Sequence, residues 1–126
     1  MRPARHLAGE RGSVSIQMAL LLPVMFSILF LGMQAALFYH ARSVATAAAQ
    51  EGARAAAAEG AHASDGCAAA RAFVDHAGGA LDHPAVTCVR TLTSATVTVQ
   101  GASLTVIAGW TPLVHQKVTA AVERLT

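Results

Sequence analysis

The sequence predicts an α+β protein: a long N-terminal membrane-spanning α-helix, then a small extracytoplasmic domain of one short helix and an antiparallel β-sheet. Three observations carry this prediction. Residues 12–41 contain no Lys, Arg, Asp or Glu. The following stretch, HARSVATAAAQEGARAAAAEGAHAS, is dominated by alanine, the best helix former. Beyond Pro84, threonine and valine alternate, as they do in half-buried strands.

The chain opens with a basic leader, MRPARHLAGERG, and runs directly into SVSIQMALLLPVMF. About 20 largely apolar residues are needed to cross a bilayer core of about 30 Å, and residues 16–39 meet that requirement. A secretory signal has an apolar core of only about 7–15 residues with a small-residue cleavage site behind it. The stretch here is longer, although Ala45-Thr46-Ala47 imitates such a site. The readings are therefore a retained membrane helix, which the length favours, a cleaved secretory signal, or the core helix of a soluble fold. Arg2, Arg5 and Arg11 precede the stretch against Glu10 alone, whereas Arg42 and Arg54 follow it. The positive-inside bias places the N-terminus in the cytoplasm and the C-terminal part outside it. Pro23 lies inside the helix and predicts a kink there, which membrane helices tolerate where neighbouring groups satisfy the freed carbonyl. The Gly32-xxx-Ala36 spacing offers a small-residue stripe for close helix contact, or simply small residues facing lipid.

Past Tyr39 the helix is expected to continue to about Ala58. From Ile16 that makes a rod of about 65 Å, more than twice the bilayer core. Ala41, Ala45, Ala49, Gly52, Ala56 and Gly60 form a small-residue surface on which another helix can sit. The alternative is a stalk that merely spaces a domain from the membrane. Glu51 and Arg54 stand at i,i+3 spacing, worth a few tenths of a kcal/mol, about 0.2–0.5.

These residues resemble the TadE-like family, small pilin-like proteins of the tight-adherence (Tad, or Flp-type) pilus machinery. The resemblance is carried by RGSVSIQMALLLPVMF and FYHARSVATAAAQEGARAAA, with Arg11-Gly12, Leu22-Pro23 and Glu51-Gly52-Ala53-Arg54-Ala55 as the matching points. It covers about the first 60 residues. It implies cutting after Gly12 by a membrane aspartic prepilin peptidase, leaving Ser13 as the mature N-terminus. It also implies a role as minor pilin or pseudopilin, with other pilin-like subunits and pilus assembly proteins as partners in the bacterial cytoplasmic membrane. One position departs from the family pattern. Its usual glutamate, fifth after the glycine, is Gln17 here, and an amide accepts a hydrogen bond but cannot neutralise a neighbour's N-terminal amine. That departure points to a membrane-held assembly component rather than a filament subunit.

The organisation expected is a leader at 1–12, a helix at 13–60 and an exported domain at 61–126. In the last, residues 65–77 read as a short helix with Asp65 as N-cap and Gly78-Gly79 as stop, and Pro84 marks a turn. Residues 85–93 and 95–100 read as strands joined by a tight hairpin at Ser94, with a bulge at Gly101-Ala102 shifting the alternation to Leu104 and Val106. Residues 109–112 are a loop. Residues 117–125 read as a last strand with Val118, Ala120 and Val122 inward, a helix being the other reading. A domain of about 65 residues is marginal on hydrophobic burial alone. A Cys67–Cys88 disulfide would tie the short helix to the first strand and contribute about 3 kcal/mol; two independent thiols are the alternative.

Only 13% of residues are charged, against about 25% in ordinary soluble domains. The net charge is +2, and the basic residues are scattered or N-terminal, so no nucleic-acid footprint follows. His62, His76 and His83 lie near the cysteines, but no zinc-type ligand pairing is present. Phosphate loops, nucleophile elbows and zincin motifs are missing too. No enzyme, cofactor, metal site or small-molecule substrate is expected. Trp110 reads either as a cover for one end of the sheet or as an anchor at a membrane or partner surface.

Overall fold

The computed structural model describes residues 10–124. The leader's Arg2 and Arg5, and Leu125 at the expected end of the last strand, lie outside the described residues. The elements are α1 (Glu10–Ala57), α2 (Ala63–His76), β1 (Leu81–Arg90), β2 (Ser94–Ser103) and β3 (Leu113–Ala121). This is the expected α+β arrangement. The chain divides into two compact units between Met33 and Gln34, so the second unit takes in residues 34–57 of α1 as well as the expected exported region.

In the first unit, α1 runs through Pro23 without interruption. The Ser27 hydroxyl donates to the Pro23 carbonyl at 2.7 Å, and the rings of Phe26 and Phe30 stack with centroids 6.4 Å apart. Every large apolar side chain from Val14 to Met33 is exposed. A surface of that kind is costly in water and suited to hydrocarbon.

In the second unit, α1 turns a stripe of small residues inward. Ala41, Val44, Ala45, Ala48, Ala49 and Ala53 share a core with Ala70 and Val74 of α2 and with Val97, Val99 and Val114 of the sheet. The spacing is that of one face of a helix, and the short side chains let the backbone approach the sheet closely. The stripe read as a surface for another helix is thus covered by the chain's own α2 and sheet. Gly60 is no part of it: α1 ends at Ala57, and Gly60 takes a left-handed turn (φ +71°) just beyond. Carbonyls at the end of α1 find donors, Ala57 from the Glu123 amide at 3.1 Å and Ala58, the residue just beyond, from Arg90 Nη2 at 3.3 Å. The cation also suits the negative end of the helix dipole.

α2 buries Gly66, Ala70 and Val74, four residues apart. Its N-cap is His62, not Asp65. Asp65 stands three residues on, and its carboxylate accepts from the His62 backbone amide at 2.7 Å, the returning half of a capping box. Gly78 and Gly79, both at positive φ, end the helix as expected.

The sheet is antiparallel in the order β1-β2-β3. Cys88 pairs Val97 and Val97 pairs Val118, which puts these side chains on the inner face. β1 starts four residues earlier than expected and passes through Pro84 instead of turning there. The expected bulge lies in β1, not at Gly101-Ala102. Asp82 pairs Ala102 and Ala85 pairs Gln100, which leaves one extra residue on β1, with His83 at φ +48°. β1 is an edge strand, and a bulge on an edge strand is where proline's missing donor is tolerated. β2 keeps its register with β3 from Ser94 to Ala102. It buries Ser103 on the face of Val97 and Val99, and it ends there instead of extending to Leu104 and Val106. Ser94 belongs to β2, and the hairpin turn is 91–93, closed by the Thr91 amide donating to the Ser94 carbonyl at 2.8 Å. β3 begins at Leu113, four residues before the expected start, with Val114, Val118 and Ala120 turned inward.

Cys67 and Cys88 form a disulfide, Cα–Cα 5.7 Å, joining α2 to β1.

Candidate functional site

The functional candidates lie along α1. Gly12 and Ser13 occupy its first turns, and nothing lies within 4 Å of where a Gly12 Cβ would stand. A protease binds its substrate extended, so a cut here would require the first turn to open, and helix ends fray readily. Gln17 is exposed among apolar neighbours. Gly32 likewise has open space around its missing Cβ, and Ala36 is exposed.

Gly52 is in a different situation. A Cβ there would stand 2.7 Å from the Gly66 carbonyl oxygen, 2.9 Å from Ala70 Cβ and 3.1 Å from Val97 Cγ1. A Cβ on Gly66 would in turn meet Ala56 Cβ and the Gly52 carbonyl at 2.7 Å. Two glycines therefore set the α1–α2 crossing, with β2 beneath it. The segment Glu51-Gly52-Ala53-Arg54 divides accordingly. Gly52 and Ala53 point inward, while Glu51 and Arg54 stay in solvent as an ion pair at 3.9 Å, a surface contact of small energetic weight. The middle of the segment serves the fold, and only its charged flanks are free to meet a partner.

Gln34 falls within the apolar stretch at 16–39, yet it is 1% exposed and belongs to the second unit. Its Oε1 accepts from the Val106 amide at 2.9 Å, and its Nε2 donates to the Leu104 carbonyl at 3.3 Å. The Thr105 hydroxyl stands 3.2 Å from the same Oε1. The loop between β2 and β3 is thereby pinned to α1. An amide near the end of the apolar run was the only signal in the sequence. Replacing Gln34 with alanine leaves the Val106 amide without its partner, at about 1–3 kcal/mol. Limited proteolysis should then cut within 104–112, where the wild type resists.

The three histidines near the disulfide make only local contacts. His62 stands 3.7 Å from Asp65, His76 Nδ1 lies 2.7 Å from the Ala72 carbonyl, and His83 Nδ1 is 3.0 Å from Asp82. Among the described residues, no group of three or more His, Cys, Asp or Glu is placed to hold a metal ion. Trp110 sits in the β2–β3 loop, 51% exposed.

The model of the TadE-like protein family matches residues 12–54, a span wholly inside α1 that ends on Arg54. It takes in the exposed apolar half, the Gln34 anchor and the glycine crossing together. No curated protein and no solved structure matches the chain.

Proposed function

The chain is TadE-like over residues 12–54, and on that premise we propose that it is a minor pilin or pseudopilin of a Tad-type pilus or related secretion apparatus, non-enzymatic and held in the bacterial cytoplasmic membrane by a single span. The observation that carries this reading is the uninterrupted exposure of large apolar side chains from Val14 to Met33. Gly12 to Met33, at about 1.5 Å per residue, is about 33 Å long, close to a bilayer core of about 30 Å. The N-terminus faces the cytoplasm and the second unit lies outside, where the Cys67–Cys88 bridge is chemically at home.

Prepilin peptidase cuts after Gly12 and leaves Ser13 as the new N-terminus. Gln17 supplies no carboxylate to pair with that amine, so the protein acts as a membrane-held assembly component. Its partners are other pilin-like subunits and pilus assembly proteins. They meet it through the exposed apolar helix, including Gly32 and Ala36, and through the outward charges of Glu51 and Arg54. The secreted-module reading is disfavoured by the core itself. A cut at Ala45-Thr46-Ala47 would remove Gln34, Ala41, Val44 and Ala45, all buried in the second unit.

N-terminal sequencing of the membrane-extracted protein, from cells with and without the peptidase, tests the processing. The expected result is Ser13 with the enzyme and the intact leader without it. A Cβ at residue 12 has no neighbouring atom within 4 Å, and Gly12→Leu is expected to leave the fold unchanged while blocking the cut. An intact leader in both backgrounds removes the pilin-type processing.

A further inference from the structure

We propose that the β2–β3 loop, residues 104–112, together with Leu113 at the start of β3, is a second membrane contact, lying in the headgroup region of the extracytoplasmic leaflet with Trp110 as its anchor. The proposal rests on the membrane reading of residues 12–33 and goes beyond it.

Four features carry it. Residues 101–114, GASLTVIAGWTPLV, contain no Lys, Arg, Asp, Glu or His. Within them Leu104, Val106, Trp110 and Leu113 are all substantially exposed, at 46%, 40%, 51% and 79%. A run of exposed apolar residues without one charge is a poor water-facing loop and a good lipid-facing one. The loop is also braced by internal hydrogen bonds. The Ser103 amide donates to the Pro112 carbonyl at 2.9 Å to close its base, and the Trp110 amide donates to the Ile107 carbonyl at 3.3 Å. The Thr105 hydroxyl lies 2.8 Å and 2.7 Å from the Ile107 and Trp110 carbonyls, serving one at a time with its single proton.

Finally, the loop is tethered through its 104 carbonyl and 106 amide to Gln34. Gln34 follows Met33, the last residue of the exposed apolar stretch. A loop bonded there is attached to the residue next in sequence to the end of that stretch. Tryptophan prefers that depth, its ring apolar and its N–H able to meet headgroups and water. Lipid is favoured over a protein partner because residues 101–114 offer no charge to select one.

Trp110 is the chain's single tryptophan, so its fluorescence reports this loop alone. The full-length protein is reconstituted into phosphatidylethanolamine–phosphatidylglycerol vesicles and floated. Trp110 emission is then measured with lipids carrying a quencher near the headgroup, and separately with aqueous acrylamide. The proposal expects flotation, strong quenching by the labelled lipid and protection from acrylamide. Val106→Asp, at an exposed position, is expected to lose the lipid quenching while still floating. Flotation with Trp110 open to acrylamide and untouched by labelled lipid overturns the proposal and leaves the membrane span standing. So does a Trp110 shielded from both quenchers, which would mean that a second protein surface covers it. A Val106→Asp protein quenched like the wild type also overturns it, and failure to float overturns the membrane reading beneath it.

Discussion

Gly52→Leu is expected to abolish the packed second unit, and Gly52→Ala to weaken it by about 1–3 kcal/mol, the usual cost of overpacking. The neighbours leave no room to relax, since two of the three nearest atoms are a backbone oxygen and a Cβ, at 2.7 and 2.9 Å. Relief requires α1 and α2 to move apart, which pulls Ala53 and Ala56 off the core. Thermal unfolding in detergent, followed by circular dichroism, should show a Tm lowered by about 4–8 °C for each kcal/mol lost in a unit of this size. Gly32→Leu is the matched control. Nothing lies within 4 Å of that position, so its Tm should stay at the wild-type value. Equal effects at the two glycines would contradict the assignment of Gly52 to internal packing.

Removing the disulfide is expected to have the next largest effect. The double substitution Cys67→Ala, Cys88→Ala frees a loop spanning a separation of 21 residues, and the chain-entropy model gives a loss of about 3 kcal/mol. That corresponds to a Tm drop of about 12–24 °C. Wild-type protein treated with reductant should show the same drop, and the double variant should not respond to reductant at all. An unchanged Tm in both would mean that the bridge adds nothing beyond α2 packing.

Such sensitivity follows from the composition of the core, which is mostly alanine and valine and buries little area per residue. That same composition decided what the sequence revealed. α1 was legible because alanine-rich helix and apolar span both have strong local signals, and Gly78-Gly79 ended α2 where expected. Two cysteines in a small exported domain suggested one bridge, with independent thiols as the alternative, and the structure pairs them. The destination of the small-residue face of α1 was not legible. Ala41, Ala45, Ala49 and Gly52 suit a partner helix and a home sheet equally well, and only tertiary packing chooses between them. The path of β1 through Pro84 was hidden because a proline at an edge bulge looks locally like a turn. Gln34 was hidden because its partners are backbone groups about 70 residues away.

The central claim is that residues 12–33 remain in the bilayer as a lasting span, with the second unit folded outside. Alkaline carbonate extraction of native membranes, with the mass of the retained polypeptide determined, tests it most directly. The account predicts that the protein resists extraction and stays with the membranes, its mass including the whole of residues 13–33. Recovery in the soluble fraction of a polypeptide lacking that stretch would contradict it.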